Sequence, residues 1–155
     1  MPSISPCLWF DDDLEEAAVF YTGIFPNSSV GHLARMPDGR VMAGEFDLDG
    51  LTFQGINGGP THAQFTEAIS FSITCADQAE VDHYWTSLVA DGGNESMCGW
   101  LKDRFGVSWQ VVPSRLFELL SDPDPARAQA AQAAMLGMQR IVVADLEAAA
   151  EAAGV

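Results

Sequence analysis

Residues 50–54 read GLTFQ, and residues 106–110 read GVSWQ. Both stretches contain, in the same order, a glycine, an apolar residue, a small hydroxyl residue, an aromatic residue and a glutamine. A turn glycine followed by alternating apolar and polar side chains predicts the beginning of a β-strand in both places. Because the two stretches are so similar, the sequence predicts two equivalent strands and therefore an internal repeat.

The repeat extends to two predicted helices, in residues 11–25 and 75–89. Apolar residues recur there at helical spacing, and acidic residues precede the first turn of each helix, where they suit N-cap positions. Asp12 or Asp13 is the predicted N-cap of the first helix, and Asp77 is that of the second. The matched pairs along the two helices are Glu16 and Glu80, Ala17 and Val81, Tyr21 and Trp85, and Ile24 and Leu88.

Strand-like runs surround both helices. The runs ISPCLWF and AISFSITC come before them, and VGHLARMP, VMAGEFDL and LTFQGIN follow the first, separated by PDG and DG turns typical of hairpins. The second half repeats this arrangement more tersely. The sequence therefore predicts two βαβββ modules of about residues 1–60 and 66–113 within a single domain. Gly58, Gly59 and Pro60 begin the linker, and residues 114–155 form a helical tail with a break at DPDP.

The composition restricts the class of partner. The chain has 155 residues, with 22 acidic and 7 basic side chains, and its formal net charge is -15. Such a surface repels phosphate backbones and anionic lipid, so neither nucleic acid nor membrane is an expected partner.

Three cysteines without CxxC spacing are typical of reduced thiols. Because there is no signal peptide or long apolar run at the N-terminus, the cytoplasm is the expected location.

Five stretches resemble one known family: PCLWFDDDLEEAAVFYTGIFPNS, INGGP, ISFSITC, GWLKDRFGVSWQVVP and AMLGMQRIVVADLEAA. They resemble the PhnB-like branch of the vicinal oxygen chelate superfamily, a branch that carries the name 3-demethylubiquinone methyltransferase. Glyoxalase I, extradiol dioxygenases and bleomycin-resistance proteins belong to the same superfamily. The resemblance implies an α+β fold in which two βαβββ modules form a curled mixed sheet with a concave pocket. It also implies a homodimer, in which the helical tail packs on the domain or on the partner subunit.

The resemblance also directs attention to possible metal ligands. Metal-dependent members hold a divalent ion with His, Gln or Glu from the first and last strands of each module. Here the first strands offer only Ser5 to Cys7, and Ala68 or Ser70, at the corresponding positions. The last strands offer the two repeated glutamines, Gln54 and Gln110.

The orientation of these glutamines follows from strand alternation. Phe53 and Trp109 have the apolar parity that packs against a helix, so Gln54 and Gln110 are predicted to face the opposite, concave side. Two neutral amides without a histidine or carboxylate make a poor metal site, but they suit a polar organic ligand. Neither a metal nor another cofactor is therefore expected. Alternatively, the two glutamines bond only each other or the backbone.

Other residues are weaker candidates. Trp9 is predicted to be a pocket wall or core filling, and Asn57, Ser70 and Ser72 are predicted to add polar contacts. Glu45 is a possible general base if its strand lines the cavity, and otherwise lies on the solvated face of an edge strand. The three histidines, His32, His62 and His83, are too scattered for a catalytic triad.

The predicted function is the metal-independent binding of a small organic molecule in a concave pocket, with no activity assigned. Alternatives are a metal-dependent lyase or dioxygenase of the same superfamily, a methyltransferase as the family name suggests, and a structural or partner-binding module. Methyl transfer from S-adenosylmethionine usually uses a glycine-rich turn that opens a helix. The GINGGP stretch does not open a periodic helical pattern.

Overall fold

The computed structural model describes residues 1–60 and 64–154, so His62 lies outside the described residues. The chain divides into two compact units, Met1–Gln64 and Phe65–Val155. Each contains one four-stranded sheet and one helix of the predicted repeat. The predicted α+β fold of two βαβββ modules with a helical tail is confirmed.

The first unit contains the first sheet, with strand order β1-β4-β3-β2. Strand β1 runs parallel to β4, and the remaining pairs are antiparallel. Since β3 lies between β4 and β2, the alternative that Glu45 belongs to an edge strand is wrong. The elements are β1 Cys7–Phe10, α1 Leu14–Ile24, β2 Ser29–Arg35, β3 Val41–Leu48 and β4 Leu51–Asn57.

The turn that joins β3 to β4 depends on two residues with positive φ. Asp49 has φ 46° and Gly50 has φ 84°. This left-handed conformation at both central positions is the one that matches the twist of a two-residue hairpin, and the Asp-Gly pair adopts it readily. The turn sets the register in which Leu48 pairs with Leu51 and Phe46 pairs with Phe53.

Helix α1 packs on one face of the first sheet. The rings of Phe46 and Phe53 are stacked with centroids 5.3 Å apart, and Tyr21 of α1 stacks on Phe46 at 5.9 Å. A Cβ on Gly55 would lie 2.1 Å from Leu14 Cδ1, so only glycine permits this approach of helix and strand. The predicted burial of Tyr21 is confirmed, since it is 0% exposed.

The N-terminus of α1 is capped from a distance. Asp13 occupies the N-cap position as predicted, but its side chain makes no capping hydrogen bond. Instead, Asn57 Oδ1 at the end of β4 accepts from Leu14 N at 3.0 Å. In the second unit, Asp77 caps α2 by accepting from Glu80 N at 2.9 Å, and Glu80 Oε2 accepts from Ala76 N at 2.7 Å. The first of these bonds satisfies an amide that the helix end leaves unpaired, and the second ties the residue before the N-cap to the first turn.

The second unit contains the second sheet, with strand order β5-β8-β7-β6, and the helical tail. Strand β5 is parallel to β8, as β1 is to β4, so the strand arrangement of the first sheet is repeated. The elements are β5 Phe71–Cys75, α2 Gln78–Val89, β6 Asn94–Glu95, β7 Trp100–Lys102, β8 Ser108–Pro113, α3 Ser114–Leu120, α4 Pro125–Leu136 and α5 Val143–Ala153.

The tail forms its own apolar cluster at the end of β8. The cluster contains Val112, Leu116, Leu119, Ala131, Ile141, Leu146 and Ala150. Gln78, at the beginning of α2, connects α2 with the segment before α5: Nε2 donates to Ile141 O at 3.0 Å, and Oε1 accepts from Val143 N at 2.8 Å. The tail therefore packs within the second unit. Within the described ranges, no helix has the length and apolar character needed to cross a membrane.

Candidate ligand-binding faces of the two sheets

The two repeated glutamines lie on the sheet faces opposite those that pack against α1 and α2. Phe53 and Trp109 are each 3% exposed. Gln54 is exposed and Gln110 is half-buried, and each is the next residue along its strand. The predicted strand parity is therefore confirmed. We call the face of the first sheet away from α1, and the face of the second sheet away from α2, the open faces.

Gln54 lies in a polar row across the open face of the first sheet. It pairs with Cys7 of β1 on one side and with Glu45 of β3 on the other. Gln54 Nε2 donates a long hydrogen bond of 3.5 Å to Glu45 Oε1. A pocket of about 420 Å³ lies here, and its wall also includes His32 and Ile56. The row therefore presents an amide, a carboxylate and a thiol to one cavity.

Gln110 has different neighbours on the open face of the second sheet. It pairs with Ser72 of β5 and with Trp100 of β7. Gln110 Nε2 donates to Ser70 Oγ at 2.9 Å. The structure thus brings three predicted site residues, Gln110, Ser70 and Ser72, together on one face. Gln110 retains its amide oxygen as an acceptor, because this bond uses only its nitrogen.

A second pocket, of about 530 Å³, lies against strands β6 and β7. Its wall includes Trp100, Lys102 and Ser108, together with Met97 and Glu67. Ser108 is the small hydroxyl residue of the GVSWQ stretch. The sequence gave no signal that Lys102 would stand opposite this hydroxyl.

Two predicted contributors serve structural purposes. Trp9 Nε1 donates to Gly59 O at 2.9 Å, and a Cβ on Gly58 would lie 2.1 Å from the indole, so Trp9 packs on the backbone after β4. Asn57 caps α1 and donates from Nδ2 to Val41 O at 3.0 Å. The structure therefore does not bring Asn57 together with Gln54, because its side chain points to the α1 side of the sheet.

The donors at the superfamily's metal positions do not fit a divalent ion. Cys7 stands opposite Gln54 in the first unit, so these positions offer a thiol and a neutral amide there; Ser72 stands opposite Gln110 in the second unit, where they offer a hydroxyl and a neutral amide. Hard divalent ions prefer several carboxylate oxygens, and zinc prefers thiolates with imidazoles. In residues 1–60 and 64–154, no three His, Cys, Asp or Glu side chains are arranged to hold a metal ion.

The thiols differ in environment. Cys7 is exposed on the open face, whereas Cys75 is buried. Burial raises the pKa of the Cys75 thiol to about 12, with a further contribution from the negative charge of Glu80. Cys75 therefore stays a neutral thiol at any physiological pH, and a chemical role for a cysteine is restricted to the exposed positions.

Comparison with known proteins agrees with the fold. The sequence model of the 3-demethylubiquinone-9 3-methyltransferase family matches residues 2–112. A PhnB protein from Bacillus cereus is 32% identical, with a TM-score of 0.68, and the match covers 73% of this chain and 100% of that one. Among curated proteins there is no match to the chain.

Two less similar structures share the fold. A protein from Pseudomonas aeruginosa is 19% identical, with a TM-score of 0.60, over 73% of this chain and 98% of that one. The fosfomycin resistance protein FosX from Listeria monocytogenes is 20% identical, with a TM-score of 0.56, over 78% of this chain and 98% of that one. A second structure of FosX contains Mn(II) and sulfate.

Proposed function

We propose a function from the premise that this chain belongs to the 3-demethylubiquinone-9 3-methyltransferase family, the PhnB-like branch of the vicinal oxygen chelate superfamily. The protein binds a small polar organic molecule against the open faces of its sheets, and it does so without a resident metal. The observation that carries this proposal is the placement of Gln54 in a pocket of about 420 Å³ beside Glu45. Pockets of about 300–1,000 Å³ with a few convergent polar groups are typical of small-molecule sites.

The chemistry of the amide favours an organic ligand. A glutamine side chain donates two hydrogen bonds and accepts two, so it recognises amides, alcohols and carbonyl groups. Glu45 adds an acceptor directly beside Gln54, and Ile56 adds apolar wall. Glu45 is also one of the groups in this pocket that would take a proton from a bound ligand, which makes it a candidate base if the protein is an enzyme.

We do not propose methyl transfer, in spite of the family name. A methyl donor of the nucleoside type usually binds at a glycine-rich turn that opens a helix. The GINGGP stretch ends β4 and continues into the linker, and no helix begins in the described residues 58–60 and 64–70.

Thermal unfolding tests both parts of the proposal. We expect about 20 mM benzamide, a neutral donor and acceptor, to raise the Tm of chelator-treated wild type by about 2–4 °C, and Mn(II) to leave it unchanged. In Gln54→Glu, we expect Mn(II) to raise the Tm and benzamide to leave it unchanged. That change places two carboxylates directly opposite each other, which destabilises the sheet until a cation binds between them. Gln110→Glu is the matched control, since its paired neighbours Ser72 and Trp100 carry no carboxylate.

Either of two results would contradict the proposal. If Mn(II) raises the Tm of wild type more than that of Gln54→Glu, the protein is metal-dependent. If benzamide stabilises Gln54→Glu as well as it stabilises wild type, then Gln54 does not contact the ligand.

We also propose that the protein is a homodimer. Closed twofold dimers are the commonest oligomers, and the tail leaves Phe117 and Leu136 50% and 57% exposed. We expect light scattering at micromolar concentration to give twice the chain mass of 16.6 kDa. A monomer mass under those conditions would overturn this part of the proposal.

A further inference from the structure

The second pocket contains the only lysine of the sequence. The chain has 22 acidic residues and 7 basic ones, and Lys102 is the single lysine among the latter. It lies on β7 directly opposite Ser108 of β8, on the same open face. Paired residues on one face of an antiparallel ladder are close neighbours. An ammonium and a hydroxyl therefore stand side by side at the wall of a pocket of about 530 Å³.

The hydroxyl of Ser108 is buried without satisfying its hydrogen bonds. Ser108 is 1% exposed, and within the described part of the chain its Oγ has no hydrogen-bond partner. The equivalent residue of the first sheet, Thr52, donates from Oγ1 to Asp47 Oδ1 at 2.5 Å across the same kind of strand pair. In the second sheet, Lys102 replaces that acceptor. A buried polar group left unpaired is rare and costly, so this one points to an outside partner.

A carboxylate already contacts Lys102. Its Nζ lies 2.7 Å from Glu67 Oε1, and the Glu67 side chain is 64% exposed. Exposed ion pairs contribute little to stability, so an incoming anion can displace Glu67 at small cost. The contact shows that a planar carboxylate reaches the ammonium from the pocket side.

Part of the pocket wall is suited to an apolar body. Trp100 and Met97 line the same cavity. Tryptophan offers a flat apolar surface and methionine an adaptable one, so together they suit an aromatic ring. The same cavity thus offers both an apolar wall and the polar pair Lys102 and Ser108, and Asn94, Glu95 and Ser96 line it as well.

From these observations we propose that Lys102 and Ser108 bind the carboxylate of a small aromatic or otherwise apolar acid, in exchange for Glu67, while Trp100 and Met97 contact its apolar part. One carboxylate oxygen accepts from Lys102 Nζ, and the other accepts from Ser108 Oγ. This inference goes beyond the proposed function, because it concerns the second pocket and not the one that Gln54 lines.

Titration of the ¹⁵N-labelled protein with three matched probes tests the inference. The probes are benzoate, benzyl alcohol and benzylammonium, which share a ring and differ in charge. We expect benzoate to shift the amide signals of Lys102 and Ser108 with a Kd in the millimolar range, as is usual for a ligand of this size. Benzyl alcohol should bind more weakly, by about tenfold, because a hydrogen bond to a charged group is lost.

The variants give opposite expectations. Lys102→Gln and Ser108→Ala should each raise the Kd for benzoate by about tenfold, and Glu67→Gln should lower it by removing the internal competitor. Asp38→Asn is the control, because it removes an exposed carboxylate from a comparable ion pair with Arg40 in the first unit. It should leave the Kd unchanged.

The stability of Ser108→Ala separates a binding hydroxyl from a structural one. Since Ser108 Oγ has no internal partner, its removal should leave the Tm of the free protein unchanged or raise it. Thr52→Val, the matched change in the first sheet, should lower the Tm because it breaks the bond to Asp47.

Three results would overturn the inference: equal affinity of Lys102→Gln and wild type for benzoate, tighter binding of benzylammonium than of benzoate, or no saturable shift with any probe up to about 20 mM. None of these decides the proposed function, which depends on benzamide and Gln54. If benzamide binding depends on Gln54 but benzoate binding does not depend on Lys102, the proposed function stands and the acid-binding site is refuted.

Discussion

Asp103→Ala is expected to lower the free energy of unfolding by about 3–5 kcal/mol, because it leaves buried donors without an acceptor. The Asp103 side chain, only 2% exposed, lies between β7 and β8. Its Oδ1 accepts from Phe105 N at 2.9 Å and from Val107 N at 3.1 Å, and its Oδ2 accepts from Trp109 Nε1 at 2.8 Å. Urea unfolding followed by tryptophan fluorescence measures the loss as a lower midpoint at unchanged slope.

Asp103→Asn distinguishes the stability contributed by the hydrogen bonds within the turn from that contributed by the hydrogen bond to Trp109. Asparagine keeps one oxygen for the two backbone amides, but its NH₂ group faces the indole N–H, so donor meets donor. We expect an intermediate loss of about 1–3 kcal/mol, and a smaller one in a Trp109→Phe background, where the indole donor is absent. A loss below about 1 kcal/mol for Asp103→Ala would show that the turn forms without the carboxylate.

The apolar pattern alone determines much of this fold. The spacing of Ala17 and Tyr21 predicted the buried face of α1, and Val81, Trp85 and Leu88 predicted that of α2. These residues are all buried, whereas Ile24, at the same spacing near the end of α1, is half-buried. The parity of Phe53 and Gln54 was predictable for the same reason. A 3.6-residue or 2-residue period of apolar residues is a local property of the sequence. Because burial of apolar surface is favourable, a segment with such a period folds so that its apolar face is covered.

Polar residues were harder to predict, since their partners are far away in sequence. Asn57 was predicted to face a ligand, but it caps α1, and Gln78 gave no signal that it would join α2 to the tail. Asp103 in KDRFG could have been predicted as a turn residue from Asp and Gly spacing, but not as the acceptor for Trp109. One sequence shows which residues can hydrogen-bond and leaves their partners open.

The two sheets illustrate the same limit at the candidate sites. The repeat placed a small hydroxyl residue in each last strand, at Thr52 and Ser108. Its environment depends on the strand opposite, where Asp47 satisfies the first and Lys102 leaves the second unpaired. Strand order was similarly hidden: β3 lies between β4 and β2, so it is an inner strand, and its pairing with β4 brings Glu45 to Gln54.

Trp85→Ala is expected to lower the free energy of unfolding by about 3–5 kcal/mol, as is usual for a large aromatic side chain removed from a core. Trp85 lies in the middle of the buried face of α2 and is 3% exposed. Its Nε1 donates to Glu95 Oε1 of β6 at 2.7 Å, so the side chain also ties the helix to a two-residue edge strand. The loss therefore includes both the cavity left by the indole and the bond to Glu95.

Two further variants apportion this loss, and a surface variant supplies the control. Trp85→Phe keeps an aromatic ring in the core but removes the donor, so it should cost less than Trp85→Ala, about 1–2 kcal/mol. Tyr21→Ala is the matched change in α1, and it should cost about as much as Trp85→Ala because Tyr21 is also fully buried. Thr86→Ala, on the exposed side of α2, should stay within about 0.5 kcal/mol of wild type. If Trp85→Ala were as mild as Thr86→Ala, the indole would not fill the core between α2 and the second sheet, and the alignment of Tyr21 with Trp85 would not describe a structural repeat.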